Sequence, residues 1–357
     1  MSLLDAHNST VRDQRGYDGV TDAIGDLSAP YCRERFTFTD SAAALAAATP
    51  ADPLVSVGIS PTGDPHVGTL GQLESAVAFQ EAGFDVQAVL ADQVVYNARG
   101  GSLSPLTALA ERYAAFLRER GFEPRDGDLV IQSESFDIFS TAFRLAPDYD
   151  PDAESGEDSG DEEEDHEPTA FEEALAAAYE GVETPGDASA FSEQCCGLLL
   201  AADTVSPLES DEYERILLVL GADNVGLGSH VNDLRAAVDV AGSVVGLYSH
   251  LVPGIDDTPK MSKSIPGSSI HLGMAPDEVR ERVLRAVLLA VARRGHGLTP
   301  GIRRVRAGPA RSTPTTWPEP PSSGNKLAEQ PPRASFITVT VAVDPISSRG
   351  SKVYTRT

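Results

Sequence analysis

An open, mostly parallel α/β sheet with helices on both faces is the fold class this sequence predicts. Short apolar runs bounded by turn residues alternate with helical patterns of roughly ten to fifteen residues, and Ser, Asp, Pro and Gly punctuate the helix ends. The run LVSVGI (54–59) is the first clear strand, and SPTGDP leads from it into a helix with Val67, Leu70, Val77 and Phe79 on one face. Asp64 is the expected N-cap, Pro65 the first helical residue and Gly83 the stop. FDVQAVLA (84–91) is the next strand, and the right-handed crossover rule makes the pair parallel. Ser104 and Pro105 open a second helix bearing Leu106, Leu109, Tyr113 and Leu117, Gly121 closes it, and LVIQS (129–133) is a third strand. RILLVLG (215–221), a helix from about Ser229 and SVVGLY (243–248) continue the pattern. Ligands in such sheets bind beyond the carboxyl ends of the strands. A site is therefore expected among the loops 60–66, 92–99, 133–136 and 221–229.

Three domains are expected: an N-terminal extension (1–51), a nucleotide-binding domain (52–290) and a disordered Pro/Arg-rich tail (291–357). The tail carries eleven Lys or Arg against three Asp or Glu, a net of +8 in a chain of net charge −26. This reversal reads as a shifted reading frame or a fusion, with a basic tail that grips nucleic-acid phosphates as the functional alternative. An acidic, disordered insertion is expected at 146–168, where a carboxylate metal site is the sharper reading and a solvated loop the plainer one. The acid-rich, lysine-poor composition is that of a halophile protein, in which salt screens self-repulsion, so net charge does not exclude a nucleic-acid partner. Three cysteines without C-x-x-C spacing suggest neither a disulfide framework nor structural zinc. No stretch approaches the eighteen or so apolar residues of a membrane helix and the start lacks a cationic signal, so a soluble, cytoplasmic protein is expected.

Two loops carry chemistry. SPTGDPHVGT places His66 at a helix start, where free N–H groups and the helix dipole favour an anion, with Gly68 allowing a flat ring close approach. A histidine there donates hydrogen bonds to phosphate oxygens; a solvated helix-terminal histidine is the plainer reading. In PKMSKSIPGSSIHL (259–272), Lys260 and Lys263 are two of only four lysines in the chain. Two compact, hydrated charges three apart suit a pyrophosphate group, and Ser262 and Ser264 add hydroxyl donors.

PTGDPHVGT and KMSKS in this order resemble the paired signatures of class I aminoacyl-tRNA synthetases over about residues 52–290. IQSE (131–134), LLLAADTVSP (198–207) and LGADN (220–224) make the tryptophanyl and tyrosyl subfamily the most similar, its archaeal-type tryptophanyl members above all, with an atypical C-terminus. The resemblance implies a Rossmann-like catalytic domain, a helical anticodon domain that nothing after residue 292 resembles, and a homodimer. It implies ATP with Mg2+ as co-substrate, with tRNA and tryptophan as partners and tyrosine as the alternative amino acid. His66, Lys260 and Lys263 would act on the phosphates, and Gly58, Thr62, Gly63, Gly68, Thr69, Gly221, Asp223, Met261, Ser262 and Ser264 would bind ATP. Asp203 would orient the substrate ring, with Asp92 and Gln93 lining its pocket, although Asp92 reads equally as a strand-terminal turn residue. Leu200, where tyrosyl enzymes typically carry glutamine, favours tryptophan. Departures are Thr69 for the final histidine of the first signature, Asn224 for a glutamine, and the longer, glycine-rich NVGLGSH.

Overall fold

A computed structural model describes residues 2–293 apart from 126–127, 151–166, 180–187, 211 and 256–257. All of these belong to the first of two compact units, the one that holds residues 1–295. The tail and most of the acidic insertion lie outside the described residues.

Five parallel strands form one side of a seven-stranded mixed sheet, out to its edge at β5: β3 (Leu54–Ile59), β4 (Val86–Leu90), β5 (Leu129–Ile131), β6 (Arg215–Gly221) and β7 (Ser243–Ser249). The sheet order is β1-β2-β7-β6-β3-β4-β5, with β1 at Asp18–Gly19 and β2 at Phe36–Thr39. The chain winds outward from β3 through β4 to β5, then returns to lay β6 against the other side of β3 and β7 beyond it. The strand order therefore reverses between β3 and β6, where a crevice opens at the carboxyl ends.

Period-two alternation in buried strands sends side chains to two separate cores. Val55, Val57 and Ile59 of β3, with Leu217 and Val219 of β6, pack under α4 (Val67–Glu81) and α6 (Leu103–Glu119) through Leu73, Phe79 and Phe116. Leu54, Ile216, Leu218 and Leu220 face the opposite way, towards α7 (Phe136–Leu145), α9 (Ala190–Val205) and α10 (Leu227–Ala237).

Several local expectations are corrected. His66, not Asp64, is the N-cap of α4: its Nδ1 accepts from the Thr69 N–H at 3.2 Å, and helical geometry begins at Val67. Residues 92–99 form helix α5 (Asp92–Arg99) rather than a loop, and α6 begins one residue before Ser104. The helix expected from Ser229 starts at Leu227. Residues 1–51, expected as an extension, include α1 (Leu3–Gln14), α2 (Ala29–Arg35) and α3 (Ala42–Ala46) and contribute β1 and β2 to the sheet. β2 runs antiparallel to β7, with Phe36 opposite Ser249 and Thr39 opposite Leu247.

Leu217 lies on β6 between Val55 and Val245 and is 1% exposed. Leu217→Ala is expected to cost about 2–5 kcal/mol of folding stability, read from the urea midpoint, because the rigid parallel neighbours cannot collapse into the space.

Candidate functional site

At the reversal point lies a cavity of about 290 Å³ whose walls include Gly58 near the end of β3, Ser60 and Thr62 after it, and Leu220 and Gly221 of β6. α4 presents His66, Gly68 and Thr69, the 259–272 loop presents Lys260, Met261 and Lys263, and α9 presents Leu200 and Asp203. Loop residues 60–66 and 221–229 thus contribute, whereas 133–136 do not line the cavity.

The two signature segments are joined by backbone. His66 and His271 form an antiparallel bridge, the Val67 N–H donates to Ile270 O at 3.1 Å, and the Leu272 N–H donates to Pro65 O at 3.0 Å. Met261 N–H donates to Val252 O at 2.8 Å, which ties the lysine loop to the chain leaving β7. A Cβ on Gly68 would lie 2.9 Å from His66 Cε1, so the flat ring this glycine admits is the imidazole itself.

His66 is pulled down to about 4, first by burial and then by Lys263, Lys260 and His271. Its imidazole is neutral near pH 7. Because Nδ1 accepts from a backbone N–H, the proton sits on Nε2, which faces Thr69 Oγ1 at 3.4 Å. Lys263 is lowered to about 8, by burial and then by Arg99, and donates to Ser60 O at 3.0 Å and Tyr113 Oη at 3.2 Å. Tyr113 Oη in turn donates to Gly63 O at 2.7 Å. Burial pulls Lys260 down, but the Asp223 carboxylate paired with it, helped by Tyr179, leaves it raised overall. Ser262 and Ser264, expected to bind ATP, do not line the cavity and face helix ends instead: Tyr179 Oη of α8 (Ala170–Tyr179) donates to Ser262 Oγ at 3.0 Å, and Arg99 of α5 donates to Ser264 Oγ at 2.7 Å.

Asp203 is buried at the cavity wall and, among the described residues, Gln132 Nε2 donates to both of its carboxylate oxygens, at 2.9 and 2.8 Å. Burial raises it to about 8, against the pull of Gln132. Asp92 and Gln93 do not line the cavity. Asp92 is buried and saturated, accepting from Thr107 Oγ1 at 2.8 Å, Ser133 Oγ at 2.6 Å and Ser133 N–H at 2.9 Å, so it fastens α6 to the end of β5. Gln93 Nε2 donates to Asn97 Oδ1 at 2.9 Å within α5. Their neighbours Ala91 and Val94 reach the cavity instead.

Sequence reading missed Gln132, Tyr113, Tyr179 and Arg99. Gln132 had a signal, a polar residue closing an apolar strand; Tyr113 sits on its helix's apolar face and carried none. Among the described residues no group of three or more His, Cys, Asp or Glu side chains is placed to hold a metal ion. No described helix is long and apolar enough to cross a membrane.

A carboxyl group held at about 8 in the fold and 3.8 outside it binds more protons when folded between those values. Its stabilising effect is full below pH 3.8 and is lost as pH rises through 8. The Tm advantage of Asp203→Asn over the parent chain is therefore expected to grow as pH is raised from about 4 to 8. A constant difference across a differential scanning series would contradict the assignment.

Residues 51–145 match the profile of tRNA synthetases class I (W and Y). Tryptophan–tRNA ligase 1 of Halobacterium salinarum is 29% identical over 138 residues, 37% of this chain and 27% of the relative. Tryptophan–tRNA ligase of Aeropyrum pernix is 28% identical over 243 residues, 65% of this chain and 57% of the relative. Tyrosine–tRNA ligase of Methanopyrus kandleri is 31% identical over 98 residues, 28% of each chain. The chain spans between about a quarter and just over half the length of these relatives. With its two signature loops joined around one cavity, the chain is similar to class I synthetases of the tryptophanyl and tyrosyl branch over the residues that these matches cover.

Proposed function

We propose that the cavity activates tryptophan with ATP and passes the acyl group to tRNA. The observation that carries this reading is the convergence of His66, Lys260 and Lys263 on one cavity whose far wall holds Asp203. The tryptophan carboxylate attacks the α-phosphorus of ATP; the bond to the pyrophosphate oxygen breaks as the acyl–phosphate bond forms. The adenylate is then attacked by a hydroxyl of the tRNA terminal ribose, releasing AMP. No side-chain nucleophile is needed, so positioning and charge stabilisation supply the rate. Nε2–H of His66 donates to a phosphate oxygen beside the N-terminus of α4, and the two ammonium groups take up the charge leaving with pyrophosphate. Gly58, Thr62, Thr69, Gly221 and Met261 line the same cavity and surround the nucleotide, whereas Gly63 lies outside the lining, its carbonyl accepting from Tyr113 Oη. Magnesium enters bound to ATP, as suits a hard cation that keeps several waters.

Leu200, three residues before Asp203, presents an apolar wall, which favours indole over phenol. A carboxyl oxygen of Asp203 accepts the indole N–H, and a ring lacking that donor leaves a buried acceptor unpaired. Asp223 would take the ribose once Lys260 turns to phosphate, and the high acid content calls for assay in molar salt. Tyrosine activation and a catalytically impaired paralogue are the alternatives.

Tryptophan-dependent ATP–pyrophosphate exchange is the test. Lys263→Ala is expected to lower kcat about 10²–10³-fold. Exchange with tyrosine alone would reverse the substrate reading, and none with either amino acid would leave the impaired paralogue. Charging of tRNA is measured separately, since activation does not require the anticodon to be read.

A homodimer is part of the same reading. Phe136 and Phe143, seven apart on α7, and Phe191 on α9 are 81%, 80% and 74% exposed, on helices that pack together. A second copy covering them leaves Phe143→Asp monomeric by light scattering where the parent chain is dimeric; a monomeric parent chain would contradict this.

A further inference from the structure

Arg35 is the one charged lining residue supplied by the N-terminal fifty residues. The antiparallel direction of β2 puts it there: the start of β2 lies against the carboxyl end of β7, and the His250 N–H donates to Arg35 O at 3.0 Å. Both residues line the cavity.

Its guanidinium is held but not neutralised. Nε donates to Ser75 Oγ on α4 at 2.6 Å, while Nη2 is buried with no acceptor. Among the described residues no carboxylate stands within ion-pair distance of it. Gly71 makes room for it, since a Cβ there would lie 2.4 Å from Nη1. Burial lowers the Arg35 pKa against the smaller opposing pull of Tyr31 and Glu74. A desolvated guanidinium with unused N–H groups is costly unless an acceptor arrives with the ligand.

The cavity has three ends. His66, Lys260 and Lys263 mark the phosphate end, whereas Arg35 is fastened to Ser75, nine residues along α4 from His66, so Arg35 stands apart from that end. Asp203 and Leu200 mark the second end, on α9. Arg35, Gln72 and His250 mark the third.

We propose that Arg35 is a nucleobase-binding residue, its guanidinium donating to a ring nitrogen of the purine whose triphosphate lies on His66 and the two lysines. This deepens the reading of the cavity as an ATP site and rests on it. The N-terminal segment is thereby part of the nucleotide site rather than an appendage to it.

Titration calorimetry on the full chain in molar salt tests this with three ligands: ATP, ribose 5-triphosphate, which lacks the base, and inorganic tripolyphosphate. Arg35→Ala is expected to weaken ATP about ten- to a hundredfold while leaving both base-free ligands within about twofold. Arg35→Lys, which keeps the charge and fills more of the space, is expected to recover only part of the loss, because an ammonium lacks the planar fork. Unchanged tripolyphosphate binding in either variant shows that the cavity is still folded. Equal ATP binding by parent chain and Arg35→Ala, or an equal loss with ribose 5-triphosphate, overturns the nucleobase assignment alone. A parent chain that binds none of the three removes the ATP reading and this inference with it.

Discussion

Docking of the 259–272 loop onto the first turn of α4 is the constraint on which the site depends. A helix start leaves N–H groups without partners, and this one satisfies Thr69 with the His66 side chain and Val67 with Ile270 O. The same bridge fixes where the loop runs, and hence where its lysines stand, 190 and more residues after His66 in the chain. Anion-binding helix and cationic loop are thus one backbone-linked unit. The parallel sheet sets the frame, since the strand reversal between β3 and β6 opens the space into which both project.

Electrostatics within that unit are arranged around charge that the protein itself only partly compensates. Lys260 has a carboxylate partner in Asp223; among the described residues Lys263 donates to a carbonyl and a phenol oxygen, and burial and then Arg99 lower its pKa. His66, pressed by both, stays neutral and offers a fixed Nε2–H donor. A polyanion entering here would gain two cations whose present partners are weaker acceptors or already shared, and would release Asp223 for another contact. On the opposite wall burial raises Asp203, so a group that donates to its carboxylate form stabilises the charge that burial opposes.

Much of this was legible in the sequence because it is written in local pattern. LVSVGI and RILLVLG match β3 and β6 residue for residue, since strands buried on both faces are continuous apolar runs. The two signature loops were visible because His66 and the paired lysines are conspicuous in a lysine-poor chain. Other features depended on distance in sequence. FTFT is placed in the sheet only by β7 lying beside it, so β1, β2 and Arg35 stay hidden in a segment that reads as an extension. Asp92 carries the chemistry of a ligand contact, yet Thr107 and Ser133, folded onto it from α6 and the end of β5, consume its carboxylate. Gln132 and Asp203 are 71 residues apart, and nothing short of the fold pairs them.

Hydrogen exchange at single amides reads the joint between the two signature segments directly. If the lysine loop is docked on α4 as a built-in part of the fold, the Val67 and Leu272 amides, which donate to Ile270 O and Pro65 O, are protected in the ligand-free protein to the level of the neighbouring β3 amides. Exchange of both amides at unprotected rates, while β3 stays protected, would contradict it and leave two separate loops in place of one site.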